Sequence, residues 1–379
     1  MAREVEVAVV GAGLIGLGIA WRLAQAGRRV AVFERDEAGR GASWAAGGML
    51  APAAEIGFEE PDLYRLMLES RRRWPAFAAE LERASGRPVG YDATGTLVVA
   101  TDRDEVEALR RVFRFQQEEG AAVEWLAGFD AAAREPLLSP RLPAAVFAPD
   151  DHQVDNRALA EALVAVVREA ATLREHAPVR AVVPDAEAPG VVLEDGERVT
   201  ARAVVLAAGA WVRDVEGLAP RPPVRPVKGQ MLGLRMEGPL VLRHVVRGPR
   251  AYLVPKPDGR LVVGATSEER GFDASVTGGG VYRILEGAVE VVPAVEELAF
   301  EAAWAGFRPA ARDGNPILGR AAPGVFLAAG HYRHGVLLTP VTADEVAREV
   351  EASLGGSGET SPWLAPFSPG RFNDRVSEG

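Results

Sequence analysis

The chain has 379 residues, 48% of them hydrophobic, enough to bury a large core in one or two domains. A net charge of −10 without a long basic run argues against nucleic acid or an anionic membrane surface as partner. The absence of cysteine excludes disulfides, thiolate catalysis, iron–sulfur clusters and a flavin tethered through sulfur.

The first element is the apolar run Val5 to Val10, which leads into Gly11, Gly13 and Gly16. A strand–turn–helix of this kind cradles a pyrophosphate. Gly11 makes the tight turn, Gly13 admits the phosphates to the backbone, and Gly16 lets helix pack closely on strand. The following helix points its partial positive end at the phosphates. A second apolar strand, Val30 to Phe33, ends in Glu34, roughly 20 residues beyond the last glycine. A carboxylate there can accept from adenosine ribose hydroxyls. Alone, the glycines would describe any tight βα turn; with Glu34 they describe a dinucleotide site. Residues Gly39 to Met49 are too small and glycine-rich to be core, and suit close approach to phosphate and a flavin ring.

An amphipathic helix is predicted from Pro61 to Ser85, with Leu63, Leu66, Trp74, Phe77 and Leu81 on one face. Thr94 to Ala100 reads as a strand, Arg103 to Glu119 as a helix, and Asn156 to Ala170 as a helix capped by Asp155 or Asn156. Val179 to Val183 and Val191 to Glu194 look like a hairpin, and Ala203 to Ala210 is a buried strand ending in a glycine turn. Four prolines between Pro220 and Pro226 mark a stiff crossover. Beyond them Gln230 to Leu234, Ala251 to Val254, Leu261 to Ala265 and Leu298 to Trp304 alternate as antiparallel strands, with Asp258-Gly259 as a hairpin turn. Val325 to Gly330 is another strand running into glycine, with a helix expected from about Gly335. A late strand–Gly–helix returning to the cofactor suits a flavin ring and not only an ADP moiety, so the dinucleotide is expected to be FAD.

The fold class expected is α/β in two domains: a Rossmann-like FAD domain built from discontinuous segments plus an antiparallel-sheet substrate domain. Residues 1–85, 150–220 and 308–354 form the first and 86–149 and 221–307 the second, with 355–379 a loosely attached tail. No apolar stretch approaches the roughly 20 residues of a membrane span. The chain enters its first strand at once, leaving no room for a signal peptide, so a cytoplasmic protein is expected. His152, His176, His244, His331 and His334 show no metal-ligand spacing, and no metal is expected.

This layout resembles the D-amino-acid-oxidase-like family of FAD-dependent amine oxidases, and within it the bacterial glycine oxidases of thiamine biosynthesis. The resemblance runs from Val7 to about Val350. It is carried by Gly41 to Pro52, Pro226 to Gln230, Tyr252 to Pro255, Gly259 to Thr266, Trp304 to Pro309 and Gly330 to Gly335. It implies noncovalent FAD held by Gly11, Gly13, Leu14, Ile15, Gly16, Glu34, Arg35, Ser43, Ala46, Gly47, Met49, Val179, Ala208, Gly209, Trp211, His331, Arg333, Gly335, Val336 and Leu337. It further implies Arg308 on the substrate carboxylate, a bidentate task for a guanidinium, with Tyr252 as second donor and Arg333 closing the pocket. Taken alone, Arg308 could make an interdomain salt bridge and Tyr252 could be a half-buried sheet aromatic. His331 stands either beside the flavin edge or in a structural hydrogen bond at a helix N-terminus. Arg250, two residues from Tyr252, lines the entrance or is solvated. Lys228 precedes Gly229 in what reads as a supporting loop, outside the catalytic set.

No side chain is expected to serve as acid or base, because the implied reaction is hydride transfer from Cα of a small amino acid to the flavin. Oxygen then takes the electrons and yields hydrogen peroxide, and the imine serves thiazole formation or hydrolyses. Glycine or a small N-alkyl glycine is the substrate implied. Sarcosine, proline or a D-amino acid, or a dehydrogenase subunit passing electrons to a partner, remain open. Ser267 and His334 depart from residues common at their positions and bear on substrate preference. The family tendency is homo-oligomeric.

Overall fold

A computed structural model describes residues 5–55, 60–355 and 361–375. Its first sheet has six strands in the order Ile317–Ala322, Val325–Ala329, Ala203–Leu206, Val7–Val10, Val30–Phe33, Thr172–Arg174. All neighbours are parallel except the antiparallel edge strand Ile317–Ala322. The central strands are apolar at every position because both faces are covered. On one face lie the helices Leu14–Gln25, Pro61–Ser85, Asn156–Ala170 and Thr339–Gly355, whose Leu17, Trp74, Leu163 and Val346 pack with Val7, Val9, Val30 and Val32. The predicted stripe of Leu63, Leu66, Trp74, Phe77 and Leu81 is buried there. Asp155 caps its helix by accepting from the Arg157 and Ala158 N–H groups. On the other face sits a small antiparallel sheet, Val179–Val183, Gly190–Leu193 and Arg198–Thr200, whose Val182, Val191 and Leu193 meet Ala8, Phe33 and Leu206.

The second sheet has eight strands in the order Ala299–Ala311, Val224–Arg235, Arg260–Gly264, Tyr252–Pro255, Val245–Arg247, Thr96–Ala100, Ala144–Ala148, Glu124–Ala127. It is antiparallel apart from the parallel pair Val245–Arg247 and Thr96–Ala100. Strand period decides its two faces. Leu232, Leu234, Leu253, Leu261 and Val263 pack beneath the helix Gly278–Val291 through Ile284, Ala288 and Val291. Residues of opposite parity, among them Gly229, Met231, Tyr252 and Gly264, border the cleft between the sheets. The longest pairing joins Val224–Arg235 to Ala299–Ala311 and sets Val227 opposite Arg308 and Gly229 opposite Gly306.

Both sheets fit the α/β class expected. Two local expectations are corrected. The last helix begins at Thr339, not near Gly335, because Pro340 has no N–H and belongs in a first turn. Residues 335–338 form a tight turn in which the Leu338 N–H donates to the His334 carbonyl (2.8 Å). The described part of the C-terminal tail is packed, not loose. Leu364 and Phe367 are buried in the core, and Ser361 Oγ donates to Glu345 Oε2 (2.6 Å). No helix among the described residues is long and apolar enough to cross a membrane.

Candidate active site

The site is a cleft of ≈ 920 Å³ that follows the carboxyl ends of the parallel strands and runs under the second sheet. At its first end, Gly11 has φ +99°, and a Cβ there would stand 2.5 Å from the Ala207 carbonyl oxygen. Only glycine lets the turn and the neighbouring strand end approach this closely. Gly16 is equally confined, its side-chain position filled by the Gly11 carbonyl, so it packs helix on strand and does not border the cleft. Gly13, Leu14 and Ile15 border it. Two side chains brace the turn: Ser43 Oγ accepts from the Leu14 N–H (3.0 Å), and Glu34 accepts from the Ala12 N–H (2.7 Å) and the Asp36 N–H (3.1 Å). A carboxylate offers about four lone-pair positions, so Glu34 keeps capacity for ribose hydroxyls. Arg35, Val179, Ala208, Gly209 and Trp211 line the same end.

The bracing gives Glu34→Ala two consequences. Loss of one charge-assisted bond to ribose weakens FAD binding by roughly 1.5–3 kcal/mol. Two backbone N–H groups lose their acceptor as well, so the melting temperature should fall along with affinity. Flavin titration and thermal unfolding of the variant check both; an unchanged flavin affinity would remove Glu34 from the ribose site.

The middle of the cleft is closed by Ala45, Ala46, Gly47, Gly48 and Met49. A Cβ on Gly47 would lie 2.9 Å from Tyr252 Cε2, so the missing side chain is what lets the loop meet the sheet. Gly48 has φ +81°. Lys256 ties this loop down: its buried ammonium donates to the Gly47 and Val154 carbonyls (both 2.8 Å) and to Gln153 Oε1 (3.2 Å). Burial among neutral acceptors pushes its pKa down to about 7.

The far end carries Arg308 and Tyr252. Arg308 Nη1 donates to the Thr266 carbonyl (3.1 Å), and the guanidinium lies over Gly229, where a Cβ would be 2.5 Å from Nη1. The remaining donors of the fork face a cleft also bordered by Tyr252, Met231 and Ser267. The Tyr252 hydroxyl donates to Met231 Sδ (3.2 Å) and fits only because Gly264 has no side chain. Burial raises the phenol above its ordinary pKa against the pull of Arg308, so it stays a protonated donor. Beside it a charge cluster emerges that sequence reasoning missed. Glu55 pairs with Arg247 (2.5 Å) and with His334 Nδ1 (3.4 Å), and both Glu55 and Arg247 line the cleft. Burial works to raise the Glu55 carboxyl, but Arg247, His334 and Arg333 together hold it below its ordinary value. The one available signal was register: Arg247 lies directly opposite Tyr252 in a hairpin.

The other singled-out residues divide. Arg333 is exposed at the rim, over the Tyr332 ring. Gly335 and Val336 line the cleft; Leu337 does not, and its carbonyl accepts from Ser70 Oγ (2.6 Å) and Trp74 Nε1 (2.8 Å). His331 borders the cleft with its ring in a hydrogen bond to Thr342 Oγ1 (3.1 Å). Burial lowers it to about 3, so the imidazole is neutral. Arg250 borders the cleft, as the entrance reading expected, and is ion-paired there with Glu286 (2.7 Å) and Glu290 (2.8 Å). Lys228 lies on the opposite face of its strand from Gly229, away from the cleft. Among the described residues no cluster of three or more ligating side chains could hold a metal.

A glycine cradle, a carboxylate at the end of the second strand and one continuous cleft of ≈ 920 Å³ fit a flavin dinucleotide. A profile of the FAD-dependent oxidoreductase (DAO) family matches residues 6–349. The chain belongs to this family. It is 39% identical to the glycine oxidase of Geobacillus kaustophilus, over 99% of each chain. The crystal structure of that enzyme superposes with a TM-score of 0.89, covering 96% of this chain and 97% of the other. The bifunctional protein ThiO/ThiG of a Synechocystis species is 36% identical over 97% of this chain, which spans 54% of that longer protein. This member of the family is an FAD-dependent amine oxidase.

Proposed function

We propose that the chain oxidises glycine or a small N-alkyl glycine to the corresponding imine, with oxygen as final acceptor and hydrogen peroxide as product. The observation that carries the reading is the Arg308 guanidinium, seated over Gly229 and beside the Tyr252 hydroxyl, at the opposite end of one cleft from the glycine cradle. Arg308 pins the substrate carboxylate, Tyr252 supplies a second donor, and together they aim Cα along the cleft. FAD, when bound, would supply the two-electron redox chemistry, while the chain's own residues hold the substrate and aim it. The substrate amine gives up its proton, and the imine hydrolyses to a 2-oxo acid and ammonia (or the alkylamine, from an N-alkyl glycine) unless a further enzyme takes it. The crowding of Tyr252 between Gly47 and Gly264 favours small substrates. Arg333 at the rim adds positive charge where an anionic substrate enters. The cofactor residues named from the sequence, apart from Gly16 and Leu337, would contact FAD from the cleft wall, with Gly16 acting through helix packing. Similarity to ThiO/ThiG supports thiamine biosynthesis as the setting, with the imine going to thiazole formation.

Peroxide release tests the reading. The neutral amine is the reacting form, so purified protein should produce hydrogen peroxide from glycine or sarcosine faster at pH 9 than at pH 7. Reduction of an artificial dye without peroxide would replace oxygen by a protein acceptor. Equal turnover of bulky D-amino acids would broaden the substrate class.

A further inference from the structure

A ring cluster joins the two sides of the cleft beside Arg308, whose chain neighbour Phe307 belongs to it. Trp211 borders the cleft just after the strand Ala203–Leu206, and Phe307 borders it from the strand Ala299–Ala311. Their rings meet edge-on at 6.0 Å. Arg35 sets its guanidinium 4.7 Å over the Trp211 ring. Phe272 completes the group, nearly parallel to Trp211 at 5.0 Å and edge-on to Phe307 at 5.4 Å. Phe272 is 42% exposed, so burial alone does not account for a phenylalanine here. Its contacts are to two rings of the cleft wall.

The loop that presents Phe272, residues 265–277, is tied down on both sides of it. Before the ring, the backbones of Lys228 and Glu268 exchange two hydrogen bonds (both 2.9 Å), and Arg225 pairs with Glu269 (3.0 Å). After it, the fully buried Lys228 ammonium donates to Asp273 Oδ2 (3.5 Å) and Ser275 Oγ (3.4 Å). Gln230 Nε2 donates to Glu268 (2.6 Å) and to Thr277 Oγ1 (3.2 Å), spanning both feet. Lys228 therefore anchors an arch whose apex reaches from the eight-stranded sheet to Trp211 beside the parallel sheet.

We propose that Phe272 is a positioning residue for the cofactor. Through Trp211, the Arg35–Trp211–Phe272–Phe307 stack straps the cleft at the dinucleotide end and slows release of bound FAD. The inference rests on FAD occupying this cleft. In this reading the Trp211–Phe307 contact lies across the path by which a dinucleotide leaves, and Phe272, in contact with both rings, holds it in place.

The experiment follows flavin appearing in the filtrate after dilution of the holoenzyme. Phe272→Ala loses two ring contacts and should release FAD about tenfold faster than the parent. Phe272→Tyr, which keeps the ring, should restore the slow rate. Limited proteolysis of the loaded protein in excess FAD should be the same for all three. Release from Phe272→Ala at the parent rate would overturn the strap. So would flavin loss and chain cleavage accelerating together, since Phe272 would then serve the fold alone. If the unaltered protein neither carries nor takes up FAD, the cofactor's place in the cleft fails first, a result distinct from either.

Discussion

Replacing Arg308 by alanine is expected to lower kcat/KM for glycine by roughly thirtyfold to several-thousandfold. Truncating one partner of a buried, hydrogen-bonded charge pair costs on the order of 2–5 kcal/mol, and in the proposed function the partner left behind would be the substrate carboxylate. The surroundings offer it little else. Tyr252 is one neutral donor, and Arg247 is already engaged by Glu55. Arg308→Lys should recover only part of the loss, because an ammonium cannot reproduce the planar fork. The flavin spectrum and melting temperature should hardly move, since the contacts Arg308 makes, to the Thr266 carbonyl and to Tyr252 beside it, lie at the substrate end of the cleft. Steady-state kinetics, flavin absorbance and thermal unfolding of the two variants check this together. Near-normal kinetics or an unfolded Arg308→Ala protein would make the residue structural. The site would then be sought around Arg250 and Arg333, which also line the cleft.

The parallel sheet was legible because its chemistry is local. Val7 to Gly16 states strand, turn and helix within a dozen positions, and Glu34 closes the unit. The helices Pro61–Ser85 and Asn156–Ala170 follow from periodicity and a cap. The substrate end was only half legible. Arg308 and Tyr252 announce themselves as chemical types, whereas the residues that give them room are glycines whose reason lies in other strands. Gly229 reads as a loop glycine and Gly264 as a sheet glycine until Arg308 and Tyr252 are seen lying over them. The Glu55–Arg247–His334 cluster joins residues distant in the chain, and no spacing could have gathered it. Lys228 reads as part of a supporting loop; the strand Val224–Arg235 is what places it behind the sheet, and its partners Asp273 and Ser275 come from a loop without periodicity. The turn after Gly335 was misread as helix because glycine marks a break without saying how many residues the break consumes.

Gly229→Ala isolates position from presence. The Cβ would stand 2.5 Å from Arg308 Nη1 and 2.7 Å from Nη2, the far end of a flexible side chain, so the guanidinium moves and the strand does not. Gly229 needs no left-handed backbone, and alanine suits a strand interior better than glycine does. Stability should hold. Displacing a positioning group by about 1 Å costs on the order of a hundredfold in rate, and kcat/KM for glycine should fall by about that much while FAD stays bound. The double variant Gly229→Ala/Arg308→Ala decides the cause. If the methyl acts only by moving the fork, the pair should be no slower than Arg308→Ala alone, a coupling of neighbours and not a sum. Additive losses, or a Gly229→Ala enzyme with parental kinetics, would mean that Arg308 does not use this seat when substrate is bound.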